Sequence, residues 1–174
     1  MLSIFVPDIY QKSIHDINYK KLKNNGIKCI IFDLDNTIAP VNVKSPSKRV
    51  KDLMAELDEM GFKLIIMSNA TKKRVEPFKD ILGLDSSYLS LKPLKRKYKK
   101  IMNIYSFKDS EIAVIGDQLL TDILGANKMG FTSILVNPIG ILDYALTKIN
   151  RFIENTIYNH LEKKDLLKKG EYYD

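Results

Sequence analysis

Apolar and polar positions along the chain follow two different periods. Short, continuous apolar runs rich in β-branched residues at 27–32, 62–67, 112–115 and 131–136 have the length of strands buried on both faces. Residues 88–91 form a shorter candidate of the same kind. Between these runs the spacing turns helical: Val50, Leu53, Met54 and Leu57 recur after Ser45-Pro46 and stop at Gly61. Further helices are expected at 71–82, ending near Gly83, from 93 to about 105, and around 119–129. Parallel neighbours need crossovers of that length, so the pattern predicts an α/β fold with a five-stranded parallel sheet covered by helices on both faces. A helical segment over 8–25 precedes it. An amphipathic helix over about 139–169 follows, carrying Leu142, Leu146, Ile149, Ile153 and Ile157.

In an open parallel sheet, chemistry collects beyond the carboxyl ends of the strands. The polar residues there are Asp33-Leu34-Asp35-Asn36-Thr37, Ser68-Asn69-Ala70, Lys92, and Gly116-Asp117 with Asp122. Any one aspartate alone is more often a solvent-facing turn or cap residue. Their joint placement is what points to a site. Asp33 and Asp35 at the edge of a buried strand repel unless a cation or shared proton intervenes, and Asp117 and Asp122 can join them when the sheet folds. No histidine or thiolate belongs to the set, so its oxygens suit Mg²⁺ better than zinc. An EF-hand is excluded, because its sixth position would be Ile38 and its twelfth Lys44. No dinucleotide or P-loop glycine motif is present.

Together these residues supply the parts of phosphoryl transfer: a carboxylate nucleophile, a neighbouring acid/base, a metal, the Ser68 hydroxyl and the Lys92 cation. A carboxylate about 4 Å from a phosphate dianion is repelled by about 8 kcal/mol at an effective dielectric of about 20. That alone slows attack by roughly five to six orders of magnitude, so Asp33 is expected to be inert without its cations.

Composition sharpens the picture only slightly. The 174 residues, 45% apolar and 28% charged, fit one folded domain, and we expect residues 1–174 to form it. No apolar run reaches the length of a membrane span, and the N-terminal residues lack a secretory pattern, so a cytoplasmic protein is expected. Cys29 falls inside an apolar run and reads as a core residue. The net charge of +7 favours anionic partners without choosing among them. Lys95, Arg96, Lys99 and Lys100 are expected on one side of a helix, with Leu94, Tyr98, Ile101, Met102 and Tyr105 on the other.

The ordered set of Asp-x-Asp-Asn-Thr, Ser-Asn, Lys before a helix, and Gly-Asp-x-x-x-x-Asp resembles the four motifs of the haloacid dehalogenase superfamily. More closely, the chain resembles the YqeG family of subfamily IIIA phosphatases. The likeness runs from Pro7-Asp8 and Ser13-Ile14-x-Asp16-Ile17 through Gly116-Asp117-Gln118-Leu119-Leu120-Thr121-Asp122 and Gly125-Ala126-Asn127-Lys128 to Asn150-Arg151-x-Ile153-Glu154. The resemblance implies a three-layer, Rossmann-like fold without a large cap. It implies that Asp33 forms an aspartyl-phosphate and that Asp35 protonates the leaving group and then activates water. It further implies that Asp33, the Asp35 backbone carbonyl, Asp117 and Asp122 hold Mg²⁺, and that Ser68, Asn69 and Lys92 bind the phosphate.

A site without a lid suits a large phosphorylated substrate that itself helps exclude water. The family is also similar to mitochondrial phosphatidylglycerophosphate phosphatases, which implies a lipid headgroup as substrate and a peripheral membrane contact. Nucleic acid is not the expected partner. The opposing reading is a non-catalytic protein of the same fold that binds RNA, a ribosome-assembly partner or membrane through its basic faces. Intact Asp33 and Asp35 weigh against it.

Overall fold

The computed structural model describes residues 2–140 and 145–174. Six parallel strands form one sheet: β1 (Ile9–Gln11), β2 (Cys29–Phe32), β3 (Lys63–Met67), β4 (Asp85–Ser87), β5 (Ile112–Gly116) and β6 (Thr132–Val136), in the order β1-β6-β5-β2-β3-β4. The chain runs outward from β2 through β3 to β4, then crosses back to β5 on the other side. Strand order therefore reverses at β2 and β5, which pair as Cys29↔Ile112 through Phe32↔Ile115.

Alternation along β2 builds the three layers. Ile30 and Phe32 face one way, into a core with Leu22 of α1 (Tyr19–Asn24), Met54 and Leu57 of α2 (Lys48–Glu59), and Val75 and Phe78 of α3 (Lys72–Leu82). Cys29 and Ile31 face the other way, against Tyr98 and Ile101 of α4 (Lys95–Tyr105) and Ala126 of α5 (Leu124–Met129). The final helix, α6 (Ala145–Lys163), adds Leu161 to a third cluster with Tyr10, Leu135 and Leu167. No helix among the described residues is long and apolar enough to cross a membrane.

The expected parallel α/β sheet is present, with six strands rather than five. The additional strand, β1, has only three residues, too few to reveal a period. It is fixed by tertiary bonds: the Asp8 carboxylate accepts from Ser133 N at 2.8 Å, and Tyr10 and Tyr173 exchange backbone bonds of 2.9 Å each. Residues 8–25 are consequently not one helical segment. After β1 the chain turns at Ser13–Asp16, and only Tyr19–Asn24 is helical, capped by Asn18 Oδ1 accepting from Lys21 N.

The strand expected at 88–91 lies one turn earlier, at Asp85–Ser87, because those residues pair with Ile65–Met67. Residues 119–129 begin as a π-helical turn, Leu119–Ile123, before α5. The helix expected over about 139–169 is described over Ala145–Lys163; Leu142 and the side chains of Leu146 and Ile149 lie outside the described residues. Between β2 and β3 the only helix is α2, so no cap domain is inserted there.

Candidate active site

Because every strand points the same way, the segments leaving β2, β3, β4 and β5 meet at one end of the sheet. Asp33 continues β2, its N–H bonded to Ile115 O at 2.9 Å. The next turn is tight: Leu34 O accepts from the N–H groups of Thr37, Ile38 and Ala39, and Asn36 takes a left-handed φ of 64° that asparagine tolerates better than branched residues. This brings the Thr37 hydroxyl to Asp117, donating to Oδ1 at 3.0 Å.

From the far side come Ser68 and Lys92. Ser68 is buried after β3, its N–H bonded to Ser87 O and its Oγ accepting from Ala70 N at 3.1 Å. Asn69 clasps the Lys92 peptide, accepting from Lys92 N at 2.8 Å and donating to Lys92 O at 3.3 Å. The buried Lys92 ammonium then sits between two carboxylates, 2.5 Å from Asp33 Oδ1 and 2.6 Å from Asp122 Oδ1. Asp122 is presented by the π-helical turn, where Ile123 N reaches back five residues to Gln118 O, and its Oδ2 accepts from Gln118 N at 3.2 Å.

Asp33, Asp117 and Asp122 each offer a carboxylate oxygen within 4.8 Å of the others, and all three are buried. Desolvation by burial pushes Asp33 well above the usual carboxylate range; Lys92 opposes this, while Asp122 and Asp117 add to it. Asp117 is raised to about 6 by burial against the opposing pull of Arg151. Burial alone would lower Lys92, but Asp122 and Asp33 outweigh it and keep the ammonium protonated. The neighbouring carboxylates add to the effect of burial because the group is short of positive charge. Counting Asp33, Asp117, Asp122 and Glu154 against Lys92 and Arg151 leaves the fully ionised set two positive charges short. An all-oxygen, buried, anionic cluster fits one divalent, hard cation.

Of the residues expected in the site, Asp33, Asp117, Asp122 and Lys92 converge directly. Asn69 braces Lys92 through its backbone, and its own side chain is spent on that contact. The Asp35 carboxylate is not part of the three-oxygen cluster. It accepts from Arg74 Nε at 2.8 Å, and Arg74 also donates from Nη2 to Pro40 O at 3.1 Å and from Nη1 to Val43 O. Burial raises Asp35 and Arg74 opposes the shift.

Two arginines were not legible as site residues. Arg74 lies in the helix expected over 71–82, in which no residue was singled out for the site. Arg151 of α6 donates from Nη1 to Asp117 O at 2.9 Å, pairs through Nη2 with the Asp117 carboxylate, and lies 3.3 Å from Glu154 Oε2. Glu154 in turn accepts from Leu120 N at 2.8 Å and is raised to about 7, chiefly by burial. The available signal was the Asn150-Arg151-x-Ile153-Glu154 stretch that carries part of the family resemblance.

A sequence model of the family described as mitochondrial PGP phosphatase matches residues 2–140. The "Probable phosphatase YqeG" of Bacillus subtilis (strain 168) is 37% identical over 160 residues, covering 92% of this chain and 93% of that protein. A chloroplastic phosphatidylglycerophosphate phosphatase 1 from Chlamydomonas reinhardtii is 24% identical over 147 residues, covering 79% of this chain and 54% of that protein. Among solved structures, a HAD family enzyme from Bacteroides thetaiotaomicron, a magnesium complex, shares the fold with a TM-score of 0.53 and 14% identity, over 71% of this chain and 98% of that one.

Proposed function

The chain belongs to the mitochondrial PGP phosphatase family and is a phosphatase of the haloacid dehalogenase superfamily, and from that membership we propose that it hydrolyses a phosphate monoester through an aspartyl-phosphate on Asp33. The observation carrying this reading is the buried group of Asp33, Asp117 and Asp122 with Lys92 seated between two of its members.

Asp33, Asp117 and Asp122 are the residues that would hold Mg²⁺. When bound, the ion supplies the positive charge that lets a carboxylate approach a phosphate dianion. Lys92 adds a cation at the same point, and its two carboxylate partners fix the ammonium in place. An Asp33 oxygen attacks phosphorus as the bond from phosphorus to the leaving oxygen breaks, and Asp35 gives its proton to that oxygen. Burial raises its pKa, in the direction a proton donor needs, while Arg74 opposes the shift. In the second step Asp35 takes a proton from water, the water oxygen bonds to phosphorus, and the acyl-phosphate bond breaks to return the Asp33 carboxylate. Arg74 holds Asp35 for both steps. Ser68 would offer its hydroxyl to the phosphate.

The absence of an inserted cap between β2 and β3 supports a bulky substrate. With the family's character, this leads us to phosphatidylglycerophosphate, met at the membrane surface from the aqueous side. The test measures phosphate release from phosphatidylglycerophosphate in detergent micelles and from soluble nucleotide and sugar phosphates, with Mg²⁺ and with chelator. Activity should require the metal, vanish in Asp33→Asn with the fold retained, and favour the lipid. Turnover surviving in Asp33→Asn would refute the aspartyl-phosphate, and preference for a small sugar phosphate would refute the lipid.

A further inference from the structure

The segment leading from β4 into α4 carries an arrangement that stability and catalysis leave unexplained. Leu89, Leu91 and Leu94 are 53%, 64% and 57% exposed, with Tyr88 beside them. Leu94 therefore departs from the expected core face of the helix, where only Tyr98 and Ile101 are buried. Leu89 and Leu91 also have left-handed backbones, with φ of 45° and 55°, which disfavours leucine by roughly 1–2 kcal/mol each. Asparagine or glycine would relieve the strain and a polar residue the exposure, yet the chain keeps leucine at both positions.

The same segment is strongly cationic. Lys95, Arg96, Lys99 and Lys100 are exposed on α4, and the sequence has no carboxylate between Asp85 and Asp109. The first turn of α4 contains no acid and several cations, the reverse of what its dipole prefers. The location completes the pattern. Leu91 and Leu94 flank Lys92, whose ammonium lies in the active site. On α6, Phe152 is 77% exposed and directly follows Arg151, which holds Asp117.

We propose that the 88–100 segment, with Phe152 as a second contact, is a docking surface for an anionic lipid bilayer, seated so that the site opens onto the headgroup layer. Exposed leucines enter the boundary of the acyl chains while long lysines reach the phosphates above them. Nucleic acid offers no apolar layer for three leucines. A protein interface core is depleted in lysine, whereas this patch interleaves lysine and leucine. The link between docking and substrate rests on the phosphatase reading; the surface itself does not.

The test is co-flotation of the full chain with phosphatidylcholine vesicles and with an equimolar phosphatidylcholine and phosphatidylglycerol mixture, alongside Mg²⁺-dependent hydrolysis of soluble p-nitrophenyl phosphate. The wild-type chain should float with the anionic vesicles and not with the neutral ones. Arg96→Gln with Lys100→Gln should weaken partitioning about 25-fold, at roughly five-fold for each cation lost. Leu89→Asn with Leu91→Asn, in which asparagine accepts the left-handed backbone, should weaken it about ten-fold or more while the melting curve is kept. A wild-type chain that stays unbound, variants that float like wild type, or an RNA oligomer bound equally by the leucine variant would each overturn the proposal. Variant-sensitive flotation without any ester hydrolysis would uphold the docking surface and remove the phosphatase reading. Hydrolysis without flotation would do the reverse.

Discussion

Replacing Gly116 with alanine places a methyl group where Asp122 already stands. A Cβ on Gly116 would lie 2.2 Å from Asp122 Cγ, 2.3 Å from Oδ2 and 2.4 Å from Cβ, whereas ordinary contacts begin at 3.4 Å. Asp122 would have to retreat by about 1 Å, and misplacement of that size costs about 100-fold in rate when it reaches the chemistry. It has no room to do so cheaply: the residue is fully buried, Oδ1 is 2.6 Å from Lys92 Nζ, and Oδ2 accepts from Gln118 N. Overpacking costs about 1–3 kcal/mol, and breaking a buried ion pair about 3–5 kcal/mol. A loss of about 3 kcal/mol lowers Tm by roughly 6–12 °C at this chain length. Thermal melts followed by circular dichroism, with Mg²⁺-dependent ester hydrolysis, measure both. Gly116→Ala should lose about 100-fold in kcat and resemble Asp122→Asn. A variant melting with wild type and turning over within about two-fold of it would refute the close packing of Asp122 on β5.

Other perturbations probe the same site from different sides. Lys92→Met leaves Asp33 and Asp122 facing each other without an ammonium and should destabilise the metal-free protein by about 3–5 kcal/mol, read by urea titration; an unchanged midpoint would contradict the pairing. Arg74→Lys keeps the charge but loses the fork that holds Asp35 to Pro40 and Val43, so kcat on an alkyl phosphate should fall about 10-fold. Hydrolysis of p-nitrophenyl phosphate, whose leaving group needs no proton, should fall less, and equal losses would refute a positioning role through Asp35. Tyr98 Oη is buried without a hydrogen-bond partner among the described residues, so Tyr98→Phe should leave Tm unchanged or stabilise by about 1 kcal/mol, whereas a large loss would show that the hydroxyl is paired. Asp117 and Glu154 have folded pKa values raised to about 6 and about 7 from 3.8 and 4.5. The stability from their protonation is present below the unfolded values and lost as pH rises through the folded ones. The metal-free melting temperature should therefore fall between pH 5 and 7, and a flat profile would refute the raised carboxylates.

Central strands were legible because burial on both faces leaves a continuous apolar run, as in Cys29–Phe32 and Ile112–Gly116. The edges were not. β1 exists because β6 and Tyr173 pair with it, and no local period records a contact more than 100 residues away. At 88–91 the apolar residues that resembled a strand are exposed, so hydrophobicity there marks outward display rather than burial. Asp33, Asp117, Asp122 and Lys92 could be named from their positions after the strands. Arg74 and Arg151 could not, because a basic residue on a helix looks the same in sequence whether it points to solvent or to a carboxylate.

Arg151 lies beyond residues 33–122, which contain the four acidic, hydroxyl and lysine motifs. During synthesis, a ribosome that has released only the first 140 residues would display every one of those motifs while Asp117 still lacked its guanidinium. Helix α6 must emerge before that brace is in place. Pairing of Asp117 thus waits for a helix that follows every motif residue along the chain.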